Sequence, residues 1–204
     1  MNEEDTQLNS SRSRDGEKFI KESVEGPYLF ADDDSAEKIT SLPNGTITVR
    51  STMDELLDAM AALVFTESRV SVKKYADFQL AVSNSQALYS LYERLMYDPN
   101  VRGIPWQCTH LWCVEDNAYS IVKDTIVDHA DVPVEQVHYH LPECVDGKDA
   151  PRIDCLVIDH EASVPENILI QTVVVVAPTV ELCESFARTC EDVTFRGFVL
   201  QENP

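Results

Sequence analysis

The 204-residue chain has no run of about 18 apolar residues, which excludes a conventional membrane-spanning helix. Its first residues, MNEEDTQLNSSRSRDGEKF, lack the apolar core of a secretory leader. An intracellular protein is therefore expected, cytoplasmic and/or nuclear. Basic residues are scarce: 16 Lys and Arg stand against 36 Asp and Glu, a formal charge of -20. Residues 1–42 hold 11 acids and 5 bases, net -6, which leaves -14 on residues 43–204. Direct nucleic-acid binding rests on cation–phosphate contacts and is not expected, nor is attachment to an anionic membrane. The same field opposes a phosphosugar, because Lys73-Lys74 is the sole basic cluster. None of the six cysteines (Cys108, Cys113, Cys144, Cys155, Cys183, Cys190) forms a CxxC pair, so neither a zinc knuckle nor a redox motif is supported. Free core thiols are expected instead. There is no internal repeat, nucleophile elbow (G-x-S-x-G), H-E-x-x-H helix or Walker loop. No metal and no cofactor are expected.

What is present reads as one domain with a tail. Residues 1–42 are polar and acidic and are expected to be disordered; residues 43–204 are expected to form the domain. TITVR (46–50) has the pattern of a strand. Thr52 and Glu55 form a capping-box signature ahead of Leu56, Leu57, Met60, Leu63 and Val64 at helical spacing. Phe78, Leu80 and Val82 alternate as in a strand, and Leu91, Tyr92, Leu95 and Met96 then make a helical stripe. Residues 109–114, 153–159 and 171–178 are near-continuous apolar runs, as buried parallel strands are. Helices are expected at 118–130 and 180–192, and short strands at 135–140 and 195–200. The alternation implies an α/β, doubly wound, mostly parallel sheet of the Rossmann type, with ligands beyond the carboxyl ends of its strands.

Three segments, FQLAVSNSQALYSLYERL (78–95), PWQCTHLWCVED (105–116) and VPVEQVHYH (132–140), resemble the 6-phosphogluconolactonase family, whose fold is of the NagB/RpiA type. The resemblance runs from about Thr46 to about Asp192 and implies a shortened version of that fold. The family helix L-Y-x-x-L corresponds to Leu91-Tyr92-Glu93-Arg94-Leu95. Before it the family carries G-G-S-T-P, where glycines let backbone amides approach a phosphate; this chain has Asn84, Ser85, Gln86, Ala87 and Leu88. The family's D-E-R-x-V-P loop is reduced to Glu115-Asp116, without the arginine, leading directly into Asn117-Ala118-Tyr119. The family's G-H-T-A-S-L-F-P loop supplies a histidine as general base. Only His160-Glu161-Ala162-Ser163 echoes it, and Val164-Pro165-Glu166-Asn167 aligns better with a later segment.

The reading drawn from these departures is a protein that is not an enzyme: a pseudoenzyme retaining His160, Glu115, Asp116 and Arg152 as vestiges. It would bind a protein partner or a second copy of itself through Leu88, Trp106, Tyr119 and Pro165. The alternative is a diverged 6-phosphogluconolactonase or other sugar-phosphate hydrolase. It would use His160 as base, and Ser85, Gln86 or Arg152 to hold substrate, with His160 and Arg152 converging on one pocket. His138 and His140 point to one side of a strand, but without a third ligand a structural role is the better reading.

Overall fold

The computed structural model describes residues 38–115, 117–142, 151–190 and 192–201. Asp116, Cys144 and the tail up to residue 37 lie outside them. Residues 38–42, read as the end of that tail, instead form β1 (Lys38–Leu42), which pairs antiparallel with β2 (Gly45–Arg50) across a two-residue turn. Asn44 in this turn donates its side-chain amide to Ala187 O (3.0 Å) and Cys190 O (2.7 Å). The Asn44-Gly45-Thr46 tripeptide is therefore a structural tie that satisfies carbonyls left over where a later helix ends.

Helix α1 (Met53–Tyr75) begins with the expected capping box. The Glu55 amide donates to Thr52 Oγ1 at 3.2 Å, and the Glu55 carboxylate accepts from the Thr52 amide at 3.2 Å. Asp54 and Glu55 in its first turn and Lys73 and Lys74 in its last complement the helix dipole. It runs past its expected end because Ser68 and Ser71 continue the buried stripe of Leu56, Leu57, Met60, Ala61 and Val64. Ala76, in the left-handed conformation, terminates it.

β3 (Phe78–Val82) leads into α2 (Gln86–Tyr97), followed by β4 (Thr109–Cys113), α3 (Ala118–Val122) and a two-residue β5 (Val137–His138). A π-helical turn over Lys123–Val127 prolongs α3. Then come β6 (Arg152–Asp159), β7 (Leu169–Ala177), α4 (Val180–Ala187) and β8 (Thr194–Leu200). α4 is shorter than the expected helix over 180–192. Among the described residues the sheet has eight strands in the order β1-β2-β8-β7-β6-β3-β4-β5, every pair parallel except β1–β2.

Each face buries its own core. α1, α2 and α3 cover one face, where Leu80, Val82, Leu111, Cys155 and Val157 meet Leu56, Leu91, Leu95 and Val122. On the other, Ala81, Leu156, Ile158, Val173 and Val175 pack beneath Cys183 and Ala187 of α4. Five described cysteines are free thiols; Cys113, Cys155, Cys183 and Cys190 are buried and Cys108 partly so.

The link from β6 to β7 carries no helix. Nine residues, 160–168, separate the two strands. They must return along roughly 26 Å of strand. Nine residues as a helix would span only about 13.5 Å, whereas extended they reach about 30 Å. The segment is therefore a strap, and its Ala162, Val164 and Ile168 pack on the second face.

Candidate functional site

The chain order fixes where the sheet opens. From β3 the path moves outward to β4 and β5 with its helices on one face. From β6 it moves the other way, to β7 and β8, with strap and α4 on the other face. β3 and β6 are neighbours, paired through Leu80–Cys155 and Val82–Val157. The connections leaving their carboxyl ends diverge to opposite faces, which is the arrangement that leaves a crevice in doubly wound folds.

The carboxyl edge at this switch point is built from three strand ends. Beyond β3, the Ser83 amide donates to Val157 O (3.1 Å), prolonging the β3–β6 pairing. The fully buried Tyr92 on α2 donates its hydroxyl to Ser83 O at 2.8 Å. Burial, then the nearby Glu115 charge, holds that phenol well above its ordinary range. Ser83 is 1% exposed, and its hydroxyl has no hydrogen-bond partner among the described residues. Such an orphan costs about 1–3 kcal/mol unless something else satisfies it. The Asn84 amide donates to Glu115 Oε2 at 2.8 Å, so the carboxylate from the end of β4 sits at the turn entering α2. Burial and this same carboxylate push the Cys113 thiol up to about 11. From the end of β6, Asp159 Oδ1 accepts from the amides of Glu161 (2.9 Å) and Ala162 (3.0 Å), forming the turn that carries the half-buried His160. The His160 amide donates to Val176 O at 3.0 Å.

The structure therefore brings Glu115 against the Ser83–Asn84 turn and sets His160 on the neighbouring strand end. Ser85, a substrate candidate, is 7% exposed, and its hydroxyl accepts from the Ala87 amide at 3.2 Å as the N-cap of α2; Gln86 is exposed.

Other candidates are corrected. Arg152 opens β6 and His160 follows its far end. Eight residues of strand separate them, about 26 Å, so the expected convergence does not exist. Arg152 belongs to a polar network at the amino ends of the strands. It pairs with Asp77, its guanidinium lies 4.0 Å from the Tyr75 ring centre, and its Nε is 2.9 Å from Asp154 Oδ1, an ion pair without hydrogen-bond alignment. Leu88 is 0% exposed and Trp106 9%; both are core side chains and cannot serve as surface anchors. Tyr119 and Pro165 are half-buried, and the Tyr119 ring lies 4.3 Å from that of exposed Tyr139. His138 stacks on Trp112 (centroids 3.7 Å apart) and shares a hydrogen bond with His110 at 3.1 Å. Among the described residues no three His, Cys, Asp or Glu side chains are grouped to hold a metal.

The sequence reading missed Ser83 and the Asn84–Glu115 bond. The signal for the first was available, since Ser83 continues the alternation of β3 directly into the turn. The second depends on β3–β4 pairing and has no local signature.

Strand order and the covering of both sheet faces place the protein among doubly wound α/β folds with a mostly parallel sheet. The particular fold is that of the 6-phosphogluconolactonases. The structure of that enzyme from Thermotoga maritima matches with a TM-score of 0.55 at 11% identity, covering 77% of this chain and 100% of that one. The enzyme from Leishmania guyanensis matches at 0.53 and 12%, covering 75% and 95%, and that from Trypanosoma cruzi at 0.50 and 11%, covering 74% and 93%. No protein-family model and no curated protein matches the chain. The expectation of a non-enzyme is corrected by these likenesses, because the proteins that share the fold are lactonases. Among the described residues no helix is long and apolar enough to cross a membrane.

Proposed function

We propose that the protein is a hydrolase that opens a cyclic ester at the crevice over β3 and β6, and that its substrate carries no phosphate at that site. The likeness in fold to lactonases supports the reaction class. One observation carries the choice of substrate: the Asn84 amide, at the turn where the family's phosphate loop falls, already donates to the Glu115 carboxylate. An anion from the chain itself stands where a substrate phosphate would have to bind, and it would repel one. The glycines that would bring other amides to a phosphate are replaced by Asn84 and Ser85.

The choice of base rests on the resemblance, in which His160-Glu161-Ala162-Ser163 echoes the family's histidine loop. Glu115 is engaged with the Asn84 amide and Asp159 with the turn amides. On this reading His160 is the base, and imidazole is a common general base in such chemistry. Water adds to the ester carbonyl carbon as His160 takes its proton. The ring C–O bond then breaks, the alkoxide leaving group receives that proton, and a hydroxy acid results.

The test is base uptake in a pH-stat, with glucono-δ-lactone and its 6-phosphate as paired substrates and spontaneous hydrolysis subtracted. The expected result is turnover of the unphosphorylated lactone, falling roughly 100-fold or more in His160→Gln with the fold intact by circular dichroism. Preference for the phosphorylated lactone, or no turnover of either, would overturn the proposal.

A further inference from the structure

A second feature lies away from the crevice, on the outer side of α1 and α2. The first turns of α1 and the last of α2 enclose an open groove of about 690 Å³. Two large apolar side chains are exposed in it: Met53 is 49% exposed and Tyr97 58%. Around them stand Asp54, Glu93 and Asp98. Among the described residues the one cation lining the groove, Arg94, is consumed internally, because its guanidinium pairs with Asp54 at 2.8 Å and with Asp58. Three lining carboxylates, Asp54, Glu93 and Asp98, against that one guanidinium leave local charge near -2 in a chain of formal charge -20.

We propose that this groove docks a basic segment of a partner protein, one that seats an apolar side chain against Met53 and Tyr97 between flanking Lys or Arg residues. Charge complementarity selects this occupant. Like charge disfavours a second copy of the chain, and phosphate-bearing nucleic acid or membrane is repelled by the same field. The two exposed apolar side chains supply the anchor that pure charge attraction lacks, and a partner cation can lie over the Tyr97 ring face. Helix ends that present an apolar patch inside an acidic rim give both steering and register. This inference is independent of the hydrolytic reading.

The test uses the full-length chain and a fluorescein-labelled hexapeptide, two central leucines flanked by two lysines on each side, titrated by fluorescence anisotropy in 0.15 M salt. A second peptide with alanines replacing the leucines keeps the charge and removes the anchor. Three results are expected. The alanine peptide binds at least about tenfold more weakly. Tyr97→Ala and Glu93→Lys, both at exposed positions, each weaken the leucine peptide several-fold. Glu184→Lys on α4, outside the groove, changes binding less than about twofold. Equal binding of the two peptides, or equal effects of Glu93→Lys and Glu184→Lys, would reduce the interaction to general acidity and overturn the proposal. Absence of binding at millimolar peptide, or self-association lost in Tyr97→Ala, would overturn it too.

Discussion

Replacing Arg152 by methionine tests the claim that this residue balances a buried charge and takes no part in the crevice. Asp154 is 1% exposed. Its carboxylate accepts from the Gln79 amide (2.9 Å) and from Gln171 Nε2 (3.0 Å), with Arg152 Nε 2.9 Å away. Burial raises its pKa, and the Gln79 amide and Arg152 oppose that rise. Methionine keeps much of the stem and removes the charge. Breaking a fully buried pair costs about 3–5 kcal/mol, and the partial exposure of Arg152 together with the two remaining hydrogen bonds brings the expectation to about 2 kcal/mol at pH 7.5. The sign of the pH dependence follows from the raised pKa. A carboxyl held above its unfolded value contributes most below that value, and the contribution is lost as pH rises through the folded one. Removing Arg152 lifts the folded pKa further, so the deficit of the variant should be largest near neutrality and shrink as Asp154 takes up its proton. Urea unfolding between pH 4.5 and 7.5 measures this, and adding Asp154→Asn should recover much of the loss. A deficit under about 0.5 kcal/mol at pH 7.5, or one independent of pH, would refute the account.

Three further outcomes are expected. Burial, then neighbouring His110, depresses the His138 pKa, so its contribution is present above the unfolded histidine value and lost as pH falls through the folded one; Trp112 fluorescence should report loosening of β5 on mild acidification before global unfolding. Tyr92→Phe leaves the Ser83 carbonyl unpaired in a buried site and should cost about 1–3 kcal/mol in urea unfolding. Gly45→Ala would place its Cβ 1.8 Å from Phe195 O, a backbone atom that cannot yield without breaking the β2–β8 pairing, so a loss above about 4 kcal/mol or failure to accumulate folded protein is expected.

Much of this architecture could be read from local pattern, because local pattern is what makes it. The Thr52–Glu55 box, the stripe on α1 and the apolar runs of β4, β6 and β7 are short-range signals with short-range causes. β1 escaped because KITSL has only Ile39 and Leu42 to set against an adjoining charged segment, and Ile39 is 54% exposed as an edge-strand residue. Leu88 was misplaced on the surface although it sits one turn before Leu91 and Tyr92 on the same buried face; helical spacing alone would have assigned it to the core. Arg152 was placed at a crevice because a strand end is visible in sequence, whereas which end meets the crevice depends on strand direction within the sheet. The Asn84–Glu115 bond and the switch point itself arise from pairing between distant segments, which no single window contains.

The position of β8 between β2 and β7 has a bearing on how the protein is made. Gly45 pairs with Phe195 and Arg50 with Leu200, partners 150 positions apart. On the ribosome this hairpin would emerge well ahead of β8 and wait, its inner edge unpaired, until the roughly 150 residues between the two strands had been synthesised. At about 5–20 residues per second that interval is some 8–30 s. During it Ile47 and Val49, fully enclosed in the finished sheet, would be open to neighbouring nascent chains. Newly made protein should therefore depend on chaperone holding for much of its synthesis, and truncation before Thr194 should leave a hairpin with no strand on which to dock.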